Sequence, residues 1–166
     1  REGEFIPWDD DLDIIMLRDD FNRFWSIAKS ELPDELIFSF GDKSKDCNGY
    51  LAAVGIPEMK FRSEILRKYC EFPYPAGVDV FVLDDLAKNP EDEEFRKDVL
   101  RMLYTMIGLV ESKKEKSRSF LKELEKVEEL LEVQFDRNSP LAPQLYDVFH
   151  RVCQEFNGTG DMVAFL

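Results

Sequence analysis

Acidic and apolar positions alternate near the start of the chain, through Asp9-Asp10-Asp11-Leu12-Asp13-Ile14-Ile15, flanked by Phe5-Ile6-Pro7-Trp8 and Met16. The β-branched isoleucines and the upstream proline predict a strand. Its period of two sets Asp9, Asp11 and Asp13 on one face and Asp10, Leu12 and Ile14 on the other. The period then changes. Phe21, Phe24, Trp25, Ala28 and Leu32 fall at helical spacing, with Asp19 as N-cap and Pro33 as the stop. Leu36 to Phe40 reads as a short strand, and the polar stretch Gly41 to Gly49 as a turn. Tyr50 to Val54 and Glu58 to Ile65 read as two strands of a hairpin around Gly55-Ile56-Pro57. Arg67 to Ala76 is irregular, and Gly77-Val78-Asp79-Val80-Phe81-Val82-Leu83 is again a strand, with Asp84 and Asp85 expected to turn the chain or cap a helix.

From Asn89 onward the pattern is helical. Asn89-Pro90 is an N-cap and N1 pair, followed by the stripe Phe95, Val99, Met102, Leu103, Met106 and Val110. Phe120, Leu124, Val127, Leu130 and Leu131 mark a second helix. Ser139-Pro140 opens a third, with Leu141, Leu145, Val148, Phe149, Val152 and Phe156 on its inner side. Stripes of this kind build cores. The Lys-Glu alternation between Glu111 and Glu132 is a solvated helix face, and His150, the only histidine, takes a packing or surface role. Asn157-Gly158-Thr159-Gly160 ends the third helix, and Asp161 to Leu166 begins a further segment. The chain thus divides into a mixed-sheet core over residues 1–88, a helical region over 89–157 and the start of a C-terminal segment over 158–166.

Composition narrows the function. The 166 residues carry a formal net charge of −13, which argues against nucleic-acid binding, since that depends on many Lys and Arg contacts to phosphates. No apolar run approaches the ~20 residues of a membrane span. Cys47, Cys70 and Cys153 are too widely spaced for a zinc pattern or a disulfide framework, so reduced core thiols are expected.

The acids carry the chemistry. An ionised carboxylate on a half-buried segment needs a cation or hydrogen-bond donors. In a strand, Asp11 and Asp13 lie roughly 6 to 7 Å apart at ~3.3 Å per residue, close enough for both to reach one hard cation or a close pair. Asp79, alone in its apolar strand, raises the same demand; a buried arginine, backbone N–H groups or a shared metal would each meet it. Lys60 and Arg62 alternate onto one face of their strand, where they suit either diphosphate contacts or ion pairs with nearby acids.

These residues carry a resemblance. Arg1-Glu2-Gly3-Glu4-Phe5-Ile6-Pro7-Trp8-Asp9-Asp10-Asp11-Leu12-Asp13-Ile14 resembles the signature of the LicD family, Gly77-Val78-Asp79-Val80-Phe81-Val82-Leu83-Asp84 resembles its later motif, and Lys60-Phe61-Arg62 between them is similar to its basic strand. The resemblance implies an α+β, nucleotidyltransferase-like mixed sheet flanked by helices and followed by a helical region. It implies transfer of a phospho-alcohol such as phosphocholine from a CDP-alcohol donor to a hydroxyl of a cell-surface glycan acceptor, of the lipopolysaccharide or teichoic acid kind, with release of CMP. On that reading Asp11, Asp13 and Asp79 are catalytic and bind Mg²⁺ or Mn²⁺, Asp79 acting as third ligand or orienting the acceptor hydroxyl. Lys60 and Arg62 bind substrate, and Asp9 supports the metal pair from behind. The protein is expected in the cytoplasm, peripheral to the membrane.

Two departures accompany the resemblance. The phosphate-cradling Gly-Gly or Gly-Ser turn usual upstream of the Asp pair would precede Arg1, and the family's acceptor-side segment would follow Leu166, so a trimmed catalytic module is expected. Val82 stands where many relatives carry proline. Two rival readings use the same residues: a nucleotidyltransferase passing NMP from an NTP to an acceptor, and a non-catalytic acidic domain that binds Ca²⁺ or a partner through its helices.

Overall fold

Strand β1 (Asp13–Leu17) shares Asp13–Ile15 with the expected strand and runs two residues past it, with Ile14 and Met16 turned to the interior and Asp13, Ile15 and Leu17 exposed. The computed structural model describes residues 12–40, 50–56, 58–59, 77–112 and 117–166. The chain divides into two compact units, Arg1–Leu83 and Asp84–Leu166.

In the first unit, helix α1 (Arg18–Glu31) follows β1 without an intervening turn. Leu17 occupies the N-cap position in extended conformation and offers no side-chain acceptor. Asp19 is therefore not the cap that spacing predicts; it sits in the first turn with Asp20, where carboxylates meet the positive end of the helix dipole. The Leu32 N–H donates to Ala28 O at 3.0 Å, and Pro33 lies just beyond the helix. Phe21, fully buried, stacks on Trp25 and meets Phe40 edge-on at 4.7 Å between centroids. With Ala52, Val80 and Val82 it forms the core of this unit, which Ile14, Met16, Phe24, Trp25 and Phe40 surround.

Three further strands complete the sheet: β2 (Ile37–Ser39), β3 (Ala52–Gly55) and β4 (Gly77–Asp85). Their order is β1-β4-β3-β2, with β1 parallel to β4 and the other two pairings antiparallel. This overturns the expected hairpin of Tyr50–Val54 with Glu58–Ile65. A strand has two edges, and those of β3 are taken by β2 and β4. At the start of the expected partner, the Met59 N–H instead closes a turn onto Ile56 O at 3.1 Å. Residues 60–65 lie outside the described residues. Gly77 is required at its position, because a Cβ there would stand 2.6 Å from Val54 O. Only glycine lets β4 approach β3 this closely.

The second unit begins with the last two residues of β4, which pair with β5 (Val163–Ala164). Helix α2 (Pro90–Glu111) opens as predicted, with Pro90 at its first turn and Asn89 Oδ1 accepting from the Glu91 N–H at 3.0 Å. Helix α3 (Arg118–Leu131) is capped by Ser117, whose Oγ accepts from the Phe120 N–H. Helix α4 (Leu141–Cys153) packs along α2, which also touches α3. Leu103, Met106, Ile107, Phe120, Leu124, Val127 and Leu145 fill the centre. The phase of α2 differs from the predicted stripe. Phe95 is exposed, whereas Glu93 and Arg96 are buried as an ion pair that turns their arc inward. Sheet and helices make the α+β fold with a helical C-terminal region that the resemblance implies. Cys153 is buried, and no helix among the described residues is long and apolar enough to cross a membrane.

Candidate functional site

The alternation of β1 and β4 fixes which residues share the sheet face turned away from α1. Ile14, Val80 and Val82 pack on the α1 side, so Asp13 and Asp79 stand on the other. The two aspartates are register partners of the parallel β1–β4 pair, and the Asp79 N–H donates to Leu12 O at 3.0 Å, locking that register. Neighbouring strands run ~4.8 Å apart, so two carboxylates project side by side from adjacent strands. Asp13 is exposed and Asp79 half-buried.

The row continues across the sheet. Asp79 pairs with Ala53 on β3, and Ala53 with Ser39 on β2. Directly paired residues share a face, so Asp13, Asp79, Ala53 and Ser39 form one line over four strands. Burial deepens along it, from exposed Asp13 through half-buried Asp79 to Ala53 and Ser39, each 4% exposed.

Oxygen donors of this kind suit a hard divalent cation. Two carboxylates from adjacent strands could supply part of such a coordination set. Among the described residues no group of three or more candidate ligands gathers. Of the other residues singled out from the sequence, Asp9, Asp11, Lys60 and Arg62 lie outside the described residues.

At the far end of β4 the acids do different work, and here the expected turn or cap is corrected. Asp84 and Asp85 remain in the strand, because β5 and a loop after α4 supply partners there. Asp84 is 2% exposed, and its Oδ1 accepts from Asn157 Nδ2 at 2.7 Å. Asn157 returns the contact by accepting the Asp85 N–H at 2.8 Å. The Asp85 carboxylate accepts the backbone N–H groups of Gly158 and Gly160. Gly158 has φ +83°, and a Cβ on Gly160 would lie 2.5 Å from Leu86 O, so both glycines are needed to wrap this loop. Nearby, Arg96 reaches Glu93 Oε2 at 2.6 Å, donates to the carbonyls of Asp85 and Cys153, and lies over the Phe156 ring. Burial pushes the Glu93 carboxyl up. The Ala87 N–H, the Arg96 hydrogen bond and charge, and Lys97 outweigh that, holding it below the ordinary value.

A family model described as the LicD/FKTN/FKRP nucleotidyltransferase domain matches residues 1–109 of the 166. No curated protein and no solved structure matches the chain.

Proposed function

The chain belongs to the LicD family, and from that premise we propose that it transfers a phospho-alcohol, such as phosphocholine, from a CDP-alcohol to a glycan hydroxyl, releasing CMP. Family membership itself points to a transferase. The observation that carries the finer reading is the Asp13–Asp79 register pair, two carboxylates on neighbouring strands facing the same side. Like charges so close repel, and a cation between them or beside them relieves the repulsion. Asp11, Asp13 and Asp79 would hold Mg²⁺ or Mn²⁺, which when bound would offset the charge of the donor's diphosphate.

The chain's own residues do the rest by positioning. Half-buried Asp79 orients the acceptor hydroxyl, so that attack on the phosphorus bearing the alcohol runs in line with the departing CMP. Exposed Asp13 leaves the neighbouring side open to a bulky acceptor. Lys60 and Arg62 are assigned to the diphosphate, Arg62 by its forked donors. Asp9 supports the carboxylates from behind. The protein would act on the cytoplasmic side, peripheral to the membrane.

The test is incubation with CDP-choline, Mg²⁺ and a glycan acceptor. CMP release coupled to acceptor labelling is the expected result. Consumption of an NTP with pyrophosphate release, and none of CDP-choline, would instead assign the chain to NMP transfer.

A further inference from the structure

We propose that Ile15 is a specificity-determining residue for the alcohol end of the donor, choosing a methylated ammonium over a polyol, a proposal that rests on the acid pair being the transfer site. Attack and departure run in line through the phosphorus, so the alcohol projects to one side of that axis. The described surface around the acid pair decides which side. Toward β3 the row is covered, since Ala53 and Ser39 are both buried. One step along the strands it is open: Ile15 is 67% exposed, Leu17 is 49% exposed, and both share the face of Asp13. Ile15 is the register partner of Phe81 and Leu17 of Leu83, each half-buried. In the other direction along β4 the next residue on that face is Gly77, which has no side chain to select with.

The chemistry of that step selects its occupant. Two residues along a strand advance ~6.6 Å, about the span from the phosphorus of phosphocholine to its nitrogen. The side chains of Ile15, Leu17, Phe81 and Leu83 carry neither donor nor acceptor, so a glycerol or ribitol chain laid over them gives up water without replacing its hydrogen bonds. A trimethylammonium has no N–H or O–H to satisfy, and its methyl groups gain from apolar contact. Its charge is met as well. An aromatic ring attracts it, and exposed Asp19 and Asp20 continue the negative surface past Leu17. Arg18, between Leu17 and these acids, is buried with its guanidinium over the Phe21 and Phe40 rings. Natural sheet edges are usually blunted by charge where they meet water. On β1, an edge of the sheet among the described residues, an isoleucine stands there instead.

Calorimetric titration of the intact protein and its Ile15→Ser variant with CDP-choline, CDP-glycerol and CMP in the presence of Mg²⁺, beside thermal melts and sedimentation, tests this. The unaltered protein is expected to bind CDP-choline about 5- to 10-fold more tightly than CDP-glycerol. Ile15→Ser should weaken CDP-choline by about 3-fold or more. It should leave CMP, which has no alcohol, unchanged and hold the melting temperature, since the side chain faces solvent. Equal affinity of the unaltered protein for the two CDP-alcohols, a preference for CDP-glycerol, unchanged CDP-choline affinity in the variant, or equal weakening toward CMP each overturns the assignment while leaving the transfer reading intact. So does a dimer that Ile15→Ser dissociates with no change in CDP-choline affinity, which gives the face to a second copy of the chain. If the unaltered protein binds neither CDP-alcohol, the transfer reading itself falls, and this proposal with it.

Discussion

The two units treat their acids in opposite ways. In the second, each inward-facing carboxylate is answered by the protein: Asp84 by Asn157, Asp85 by the loop N–H groups, Glu93 by Arg96 and the Ala87 N–H. In the first, Asp13 carries no hydrogen bond or ion pair among the described residues, and its neighbour in register is another aspartate. A carboxylate matched by donors is part of the scaffold. The exposed Asp13 carboxylate has no such scaffold contact among the described residues. The same residue type thus reads as structure or as chemistry according to what faces it, and mutation should separate the two.

Arg96→Ala should give the largest effect, because it strips Glu93 of its cation while leaving the carboxylate buried. Loss of stability of about 3 to 5 kcal/mol is expected from denaturant unfolding. A loss below 1 kcal/mol would mean that the second unit is held together by its apolar contacts alone. Asp13→Asn should invert that profile. Turnover of CDP-choline falls by at least ~10²-fold, about 2.7 kcal/mol or more in the transition state, while the melting temperature is unchanged or raised, since a like-charge contact is relieved. Activity that survives this substitution at saturating Mg²⁺ would remove Asp13 from the site.

Asn157→Ala comes next. It deletes a donor to buried Asp84 and an acceptor for the Asp85 N–H, and should cost about 1 to 3 kcal/mol, read by the same unfolding experiment. Last is a pH effect confined to the second unit. The folded state holds Glu93 below the ordinary value of 4.5, so it binds fewer protons than the unfolded chain. Its contribution is therefore full above that value and lost as pH falls through the depressed one. Acid unfolding of Glu93→Gln should be less steep in that range than that of the unaltered protein, and identical slopes would assign the acid sensitivity to other groups.

Local rules read from the sequence reached the elements but not their partners. The alternation in Asp13-Ile14-Ile15-Met16 identifies β1 and its two faces, because a period of two needs no tertiary information. Which strand lies next to it does. Nothing in Tyr50–Val54 says that β2 and β4 will occupy both its edges, and local pattern alone points to the nearest candidate in sequence. Asp84 and Asp85 have strong turn preferences, and only β5 and Asn157, more than 70 residues onward, keep them in a strand. Hydrophobic periodicity predicts Phe95 on the inner side of α2, because it counts a phenylalanine before an arginine. The helix obeys the Arg96–Glu93 pair instead. Of the candidate site, the types and faces of Asp13 and Asp79 are visible in the residue pattern, but their adjacency is a property of the parallel pairing.

That parallel pairing also sets when the acid pair comes into being. Asp13 and Asp79 are 66 positions apart in the chain and meet only across β1 and β4, so their contact closes a long loop, a step that folds slowly relative to local helices. During synthesis the amino-terminal carboxylate waits for most of the first unit to emerge before it has its companion. A nascent chain short of β4 therefore cannot assemble the two-strand carboxylate pair, whose formation reports completion of the β1–β4 pairing.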